Sequence, residues 1–523
     1  MKFLGRSVSR AISQKSFRLV SARPGGTAVD IEPGAVFNRK SSSITYPPGT
    51  SNPPLRSPTS DDAEAFFGLM GYREGSLIRD SETLERYNID WTRKYIGHSQ
   101  MVVRPKTTHE VSSILSYCND EEIGIVPQAG NTGLVGGSTP VADEVILSVE
   151  ALNEVHGFDS DNGILTCDAG CVLQSLHDYA KERDHLLPID LGAKGSCMIG
   201  GNVSTNAGGQ YFYRFGSLHA NVLGLEVVLG NGTILNLLNV NRKDNTGLDL
   251  KHLFIGAEGT LGVVTKVAIS CPKLPKARNA AFLALQTFDD VRRTMALAKS
   301  ELGETLAAFE MMDKAVLKLV AAEKDIPVSV EDCSYYVLVE TQGSNHSHDE
   351  EKMETFLETT MEKEYVVDGV LAQDMRQVMT FWYIRESCNP VVKDMGYNYK
   401  YDVSIPISDF ESVIQEMKER LKVRPDAMVV NWGHVIDGNL HFNVTTPGDF
   451  EENPEILGLI EPYLFEAVVR RGGSISAEHG LGRCKNSYLG SLAKDPVSLD
   501  AMLSIKSTFD PNGILNPGKY FPG

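Results

Sequence analysis

The sequence lacks the features that would indicate a membrane-spanning protein, a disulfide-rich protein or a nucleic-acid binder. A run of about 18 uncharged apolar residues would predict a transmembrane helix, and the sequence contains none. The eight cysteines are scattered without a CxxC pair, which is typical of a reducing compartment and not of a disulfide framework. Lysine and arginine number 50 against 68 aspartates and glutamates, and the net charge of −18 disfavours a nucleic-acid binder.

Two well-known nucleotide-binding signatures are also missing. The sequence has no GxGxxG, which disfavours a nicotinamide-binding Rossmann unit. Residues 513–520 have the spacing of a P-loop, but Tyr520 stands where serine or threonine is required and Pro517 interrupts the motif. We therefore reject a P-loop interpretation.

The composition that remains is that of a globular protein with more than one domain. Hydrophobic residues make up 42% and charged residues 23%, a balance that excludes gross disorder. With roughly 150 residues per domain as a prior, a chain of 523 residues predicts two or three domains.

The N-terminus differs in charge from the rest of the chain. Residues 1–29 contain six lysines and arginines with interspersed serines and no acidic residue. This pattern predicts a mitochondrial transit peptide, with a merely disordered basic tail as the alternative. Residues 40–60 are rich in serine and proline and predict an unstructured linker.

Helix-like and strand-like patterns divide the rest of the chain. Residues 96–275 show an α/β alternation with a hairpin on the Asn231-Gly232 turn. Beyond a boundary near residue 275, helical stretches that include 455–471 alternate with short strands and predict an α+β domain with an antiparallel sheet. The predicted segments are 1–55 (transit peptide and linker), 56–95 (N-terminal segment), 96–275 (first domain), 276–480 (second domain) and 481–523 (C-terminal segment).

Two glycine-rich stretches mark the first domain. They are PQAGNTGLVGG at residues 127–137 and GAKGSCMIGGNVSTNAGG at residues 192–209. Glycine loses more backbone entropy on folding than other residues, so two ordered glycine-rich stretches indicate a specific structural requirement. Close approach of backbone N–H groups to an anion supplies one, because amides and helix N-termini can hold a pyrophosphate without lysines. Apolar Leu134, Val135, Ile199 and Val203 argue against plain flexible turns, so we predict ligand-binding loops.

Histidines and a glutamate are concentrated in the second domain. His434 and His441 flank an Asp-Gly-Asn turn, and a hairpin there would let both imidazoles converge. Glu478 would complete a His/His/Glu set, which is the ligand set of a catalytic zinc with an open position. His479 would then be free for proton transfer. The spacing alone leaves a purely structural role open.

A third segment offers two positive charges. Arg385 can present a planar fork to a carboxylate, and Lys400 can add a point charge. Taken singly, either side chain is more often a surface charge.

These blocks together resemble the flavin-dependent D-2-hydroxyacid dehydrogenases of the vanillyl-alcohol-oxidase/PCMH FAD-binding superfamily. The resemblance covers about residues 96–523. It rests on the two glycine stretches, GAEGTLG (256–262), GHVIDGNLHFNV (433–444), ISAEHG (475–480) and FDPNGILNPGK (509–519). It implies an α+β fold in which a two-subdomain FAD-binding domain is joined to an α+β cap domain with an antiparallel sheet.

The resemblance also implies roles for particular residues. Noncovalent FAD is expected, because no histidine lies in PQAGNTG, where some relatives attach flavin. The implied zinc ligands are His434, His441 and Glu478. The implied substrate residues are Arg385, Asn389, Lys400, Asn443 and His479, with His479 as the catalytic base. The implied cofactor residues are Pro127, Gln128, Gly130, Asn131, Thr132, Gly133, Leu134, Gly192, Ser196, Ile199, Gly200, Gly201, Asn206, Gly208, Gly209, Glu258, Gly259 and Asn516. Asn389 departs from the threonine expected in close relatives, and altered affinity is the expected consequence.

The expected reaction is oxidation of D-2-hydroxyglutarate to 2-oxoglutarate. Zinc would lower the pKa of the hydroxyl, His479 would take its proton, and hydride would pass from C2 to the flavin. Arg385, Asn389 and Lys400 would hold the distal carboxylate. The resemblance further suggests electron-transfer flavoprotein as the acceptor and the mitochondrial matrix as the location.

Three other readings remain at this point. The first is a D-lactate or glycolate dehydrogenase of the same family, since substrate choice turns on Arg385, Asn389 and Lys400. The second is a zinc hydrolase that uses the His/His/Glu cluster, which bound flavin would argue against. The third is a non-catalytic flavin-binding protein, which would have no use for His479 beside Glu478.

Overall fold

Helices and strands alternate along the described chain, and the strands form three β-sheets. The computed structural model describes residues 55–328 and 330–522; the predicted transit peptide and most of the linker lie outside the described residues. The helices are α1 (Ser60–Leu69), α2 (Ser81–Asn88), α3 (Thr108–Asp120), α4 (Leu173–Lys181), α5 (Ile199–Thr205), α6 (Phe212–Phe215), α7 (Leu218–Asn221), α8 (Phe288–Glu301), α9 (Lys314–Lys324), α10 (His346–Glu362), α11 (Met375–Met395), α12 (Phe410–Leu421), α13 (Pro454–Ile460), α14 (Tyr463–Arg470), α15 (Asn486–Tyr488) and α16 (Pro496–Phe509). Within these residues, no helix is both long and apolar enough to cross a membrane.

The strands are short in the first half of the chain and longer in the second. They are β1 (Leu77–Ile78), β2 (Val102–Val103), β3 (Ile125–Gln128), β4 (Val145–Ser148), β5 (Val155–Asp159), β6 (Ile164–Asp168), β7 (Val222–Val228), β8 (Ile234–Leu237), β9 (Val263–Ser270), β10 (Ala277–Leu285), β11 (Leu306–Asp313), β12 (Tyr335–Gly343), β13 (Asp368–Leu371), β14 (Gly396–Ser404), β15 (Met428–His434) and β16 (Asn439–Pro447).

Two sheets share a hydrophobic core in the first half. The order of the four-stranded sheet is β1-β2-β4-β3, with β4 parallel to both β2 and β3. The order of the five-stranded antiparallel sheet is β5-β6-β9-β7-β8. Strands β7 and β8 form the hairpin predicted at Asn231-Gly232, and Gly232 has the positive φ of +81° that this turn requires. The C-terminal segment joins the same core, because Leu515 is buried and pairs with Ile125.

A seven-stranded sheet organises the second half. Its order is β13-β10-β12-β11-β15-β16-β14, and every pairing is antiparallel. Side chains alternate between its two faces, so each face has its own core. Phe309 and Met311 of β11 pack on one face with α8 and α12. Ala308 and Met312 pack on the other face with α9 and α11.

Two local predictions were wrong. The helix predicted over 455–471 is two helices, α13 and α14, because Pro462 has no N–H to continue the helical ladder. The second glycine stretch is not loop throughout, because α5 lies within it. A Cβ on Gly200 would lie 2.5 Å from the Cβ of Ala169, so this glycine allows close packing of the helix.

Candidate functional site

The glycine stretches and the seven-stranded sheet enclose a common cavity of about 770 Å³. A volume of this size suits a large ligand, since ligand pockets usually measure roughly 300–1,000 Å³. One wall is drawn from residues within 127–138 and 190–210, and the other from residues of α11 and of the strands β11 and β14–β16. The predicted flavin and substrate residues therefore largely face one space.

The first glycine stretch presents free backbone amides to this cavity. Asn131 has a positive φ of +51°, which turns the chain sharply after β3. Within the described chain, the N–H groups of residues 130–134 donate no hydrogen bond to a protein acceptor. Successive free amides in a turn form an anion-binding concavity. The side-chain oxygens of Gln128 and Asn202 also lie buried without a partner in the described protein, which fits a polar ligand here.

The two glycine stretches touch each other. A Cβ on Gly130 would lie 2.2 Å from the backbone oxygen of Ser196, so only glycine fits there. Most predicted cofactor residues line the cavity: Pro127, Gln128, Gly130, Asn131, Thr132, Gly133, Leu134, Gly192, Ser196, Gly200, Gly201, Gly209, Glu258 and Gly259. Four do not line it: Ile199, Asn206, Gly208 and Asn516.

Those four residues have other surroundings in the fold. Ile199 is fully buried in the core, and Asn206 ends α5 in the left-handed conformation. A Cβ on Gly208 would approach Glu478 to 2.7 Å. Asn516 donates from Nδ2 to the backbone oxygens of Gly137 and Glu258, so it ties the C-terminal segment to the first glycine stretch.

The predicted hairpin brings His434 and His441 together. His434 ends β15 and His441 lies on β16, with Gly438 at φ +82° in the turn between them. The Nε2 atoms of His434 and His441 lie 3.7 Å and 3.8 Å from Oε1 of Glu478. The other oxygen of Glu478 accepts the backbone N–H of Gly209 at 2.8 Å. The proposed metal ligands and the second glycine stretch are therefore in direct contact.

Two buried carboxylates flank the histidines, and sequence reasoning missed both. Glu310 lies opposite His434 in the β11–β15 pairing, and its Oε1 is 2.6 Å from Nδ1 of His434. Asp402 lies opposite His441 in the β14–β16 pairing, and its Oδ1 is 3.5 Å from Nδ1 of His441. Each Nδ1 faces a carboxylate, so each Nε2 is directed to Glu478. A signal was present in the sequence, because Glu310 is an isolated charge in the apolar run LAAFEMM (306–312).

The pKa values of this cluster reflect its burial and its charges. Burial disfavours protonation of His434, but the Glu310 carboxylate outweighs it and raises the pKa of His434 well above its usual value. Burial lowers the pKa of His441 despite Asp402, and it lowers the pKa of His479 to about 4. Glu310 therefore favours a positive charge at His434, either a proton or a metal ion.

Two sets of groups in this region could hold a metal. Ligand atoms of Asp402, His441, Glu478 and His479 all lie within 4.8 Å of one another. However, one oxygen of Asp402 already accepts the backbone N–H groups of residues 477–479. The predicted set of His434, His441 and Glu478 does not need that occupied oxygen and stays the set that we propose. They match the two nitrogens and one oxygen of catalytic zinc sites. His434 has the hydrogen-bonded outer carboxylate typical of such sites, whereas Asp402 lies 3.5 Å from Nδ1 of His441.

The predicted substrate side chains converge on the same cavity, with one exception. Arg385 lies on α11, where Nε donates to Oε2 of Glu310 at 2.8 Å. Lys400 on β14 donates to Oδ1 of Asn389 at 2.9 Å, and burial lowers its pKa to about 8. His479 also lines the cavity. Asn443 does not, because it is fully buried and bonded to Asn398 and to the backbone oxygen of His441.

Comparison with known proteins gives relatives along nearly the whole chain. Two family models match, "FAD binding domain" over residues 99–238 and "FAD linked oxidases, C-terminal domain" over residues 274–520. The chain is 47% identical over 470 residues to the mitochondrial D-2-hydroxyglutarate dehydrogenase of Danio rerio, which covers 90% of this chain and 86% of that protein. It is 44% identical over 477 residues to a Schizosaccharomyces pombe protein provisionally named a mitochondrial D-lactate dehydrogenase, which covers 88% of this chain and 90% of that protein.

Solved structures show the same architecture at low sequence identity. A substrate-bound p-cresol methylhydroxylase superposes with a TM-score of 0.70 at 17% identity, covering 88% of this chain and 96% of the other. This likeness concerns the fold alone, and it confirms the predicted PCMH type of FAD-binding fold with its antiparallel cap.

Proposed function

Because the chain belongs to the FAD-linked oxidase family together with the D-2-hydroxyglutarate dehydrogenases, we propose that it oxidises D-2-hydroxyglutarate to 2-oxoglutarate with FAD and zinc. One observation carries the proposal. A single cavity joins the free amides of the first glycine stretch, the His/His/Glu cluster, and the cationic side chains Arg385 and Lys400. The first suits a pyrophosphate, the second a metal, and the third the distal carboxylate of a diacid.

In the proposed reaction, FAD and zinc supply part of the chemistry, and side chains of the protein supply the rest. When bound, FAD supplies a hydride acceptor and zinc at His434, His441 and Glu478 supplies a Lewis acid. His479 takes the hydroxyl proton on Nε2, because its Nδ1 lies 3.7 Å from Asp402. Loss of this proton and of hydride from C2 leaves the 2-oxo acid.

Two cationic side chains, Arg385 and Lys400, orient the substrate in this proposal. Nε of Arg385 is bonded to Glu310, and within the described chain its terminal nitrogens have no protein acceptor, so they can form a bidentate pair with a carboxylate. Lys400 and Asn389 add a second pair of donors. Lactate has no distal charge, so this pair of cations favours the diacid.

The location and the electron acceptor complete the proposal. The Danio rerio relative is named as mitochondrial, and the basic N-terminus of this chain agrees with import into the matrix. The acceptor that we propose is electron-transfer flavoprotein, as the family resemblance suggests.

D-lactate oxidation is the second candidate, and the Schizosaccharomyces pombe relative favours it. Product analysis separates the two. Purified protein with an artificial acceptor should convert D-2-hydroxyglutarate to an equal amount of 2-oxoglutarate and leave the L-isomer untouched. Faster oxidation of D-lactate would refute the diacid assignment. Substitution of purified electron-transfer flavoprotein for the dye should sustain turnover, and failure to do so would refute that partner.

A further inference from the structure

We propose that Glu310 is a positioning residue shared by the metal site and the carboxylate-binding site, so that one side chain sets both metal affinity and diacid recognition. This inference rests on the proposed function. Glu310 touches His434 with one carboxylate oxygen and Arg385 with the other. It therefore connects the reacting end of the substrate with its distal end.

The strand register places Glu310 between its two partners. Glu310 pairs across the sheet with His434, and directly opposed side chains on neighbouring strands lie close together. Because side chains alternate along a strand, Glu310 shares a sheet face with Ala308 and Met312, the face that α11 covers. Arg385 lies on that helix. The position of Glu310 thus follows from the fold and not from a local motif.

The two contacts are short and buried. Oε1 of Glu310 lies 2.6 Å from Nδ1 of His434, and Oε2 accepts from Nε of Arg385 at 2.8 Å. The Glu310 side chain is 1% exposed and that of Arg385 is 10% exposed. A buried charge must be paired, so each cationic partner also stabilises the carboxylate. The result is one orientation for both partners, with His434 Nε2 directed to Glu478 and the Arg385 fork directed to the cavity.

Asp402 provides an internal comparison. It lies beside His441 as Glu310 lies beside His434. Its second oxygen, however, accepts backbone N–H groups of residues 477–479 and lies 3.7 Å from Nδ1 of His479, and within the described residues it bonds neither Arg385 nor Lys400. Only Glu310 among these two carboxylates spans from a metal-ligand histidine to a substrate-binding cation.

The test is Glu310→Gln in the full-length flavoprotein. His434 and Arg385 pair with different oxygens of Glu310, and in glutamine one of these positions becomes an NH2 group, so one partner loses its acceptor and the side chain carries no charge. Zinc affinity, measured by chelator competition with zinc per flavin as the readout, should fall about 10- to 100-fold, the usual effect of losing an outer-sphere partner. With zinc saturating, the KM for D-2-hydroxyglutarate should rise about tenfold more than the KM for D-lactate.

A double substitution separates the two roles. Arg385→Met removes the distal-carboxylate contact by itself. In that background, Glu310→Gln should still lower zinc affinity but should no longer change the ratio of the two KM values, because coupled residues are not additive. A further change in the ratio would show that Glu310 does not act through Arg385.

Asp313→Asn is the matched control. Asp313 is a buried acid on the same strand, where it caps α9 and bonds Asn431. Its substitution should alter thermal stability and leave zinc affinity and the KM ratio within twofold. If Glu310→Gln fails to bind flavin, Glu310→Asp keeps the charge but shortens the side chain, and it should weaken both readouts.

The outcomes are distinct for the inference and for its premise. Wild-type protein that holds no zinc, or whose flavin is not reduced by D-2-hydroxyglutarate, overturns the proposed function before any variant is made. With a competent wild type, a Glu310 variant that changes only one readout, or neither, overturns the shared role.

Discussion

The two walls of the cavity offer different kinds of chemical group to a ligand. On the flavin side, residues 130–134 offer free backbone amides, and glycine is required because main chains approach closely. On the sheet side, side chains are the groups on offer. Four adjacent strands each contribute one of them, in the spatial order Glu310, His434, His441, Asp402. The first wall is built from contiguous sequence, whereas the second depends on strand register.

This difference predicts that substitutions on the two walls will fail in different ways. A change in the glycine stretches should prevent flavin binding and therefore abolish substrate oxidation. A change in the seven-stranded sheet should leave flavin bound and remove metal, turnover or selectivity. The predictions below test this separation.

Gly130→Ala should have the largest effect. Its Cβ would lie 2.2 Å from the backbone oxygen of Ser196, and backbone cannot easily retreat. We expect loss of bound flavin, measured by absorbance of the purified protein. Gly458→Ala is the control, because nothing lies within 4 Å of the new Cβ and the residue is on α13, where alanine is favoured by about 1 kcal/mol. Normal flavin content in Gly130→Ala would show that the two stretches can separate without cost.

His441→Ala should abolish metal binding and turnover while flavin stays bound. Removal of one of three ligands and of the Lewis acid should lower kcat about a thousandfold, since such a metal contributes several kcal/mol. Metal analysis and flavin absorbance on the same sample provide the check. His185→Ala is the matched control, because His185 is also buried, and among the described residues its ring bonds the backbone oxygen of Arg183 alone. Normal turnover without metal in His441→Ala would refute the zinc role.

Lys400→Met should act on selectivity. Loss of the charge opposite the distal carboxylate should lower kcat/KM for D-2-hydroxyglutarate about 10- to 100-fold and change that for D-lactate by less than twofold. The control is Lys393→Met, because Lys393 lies on α11 but its ammonium sits over the ring of Trp91. Equal losses with both substrates would show that Lys400 does not bind the distal carboxylate.

The smallest predicted effect is a dependence on pH. Burial lowers the pKa of Lys400 to about 8, against the opposing charges of Asp402 and Glu478. A lysine carries its charge below its pKa, so kcat/KM for D-2-hydroxyglutarate should be constant up to pH 8 and fall above it by at most about tenfold per unit. The profile for D-lactate should lack this fall, and Lys400→Met should remove it. Parallel profiles for the two substrates would contradict the assignment.

The same contrast explains what the sequence could predict. The glycine stretches, and His434, His441 and Glu478, lie in short motifs, so residue types and spacing suggested a ligand site there, and the family resemblance supplied the assignment of zinc ligands. Glu310 is 124 residues from His434 and becomes its neighbour only through the β11–β15 pairing. Asn443 shows the converse, because it lies two residues from His441 in the motif, yet it is bonded inside the sheet and does not reach the cavity.

Secondary structure shows the same limit on a smaller scale. The hairpin at Asn231-Gly232 was predicted because the turn residues themselves determine it. The division between α13 and α14 was missed because the apolar periodicity runs through Pro462, and helix α5 was missed because its glycines suggested a loop.

We propose that a flavin, one zinc site and a pair of cationic side chains share one cavity for a diacid substrate. The most direct test is to mix the purified protein anaerobically with D-2-hydroxyglutarate, and separately with D-lactate, while the absorbance of oxidised flavin is recorded. Rapid bleaching by D-2-hydroxyglutarate with slow or no bleaching by D-lactate is the predicted result. Faster bleaching by D-lactate, or a protein without a flavin band, would contradict it.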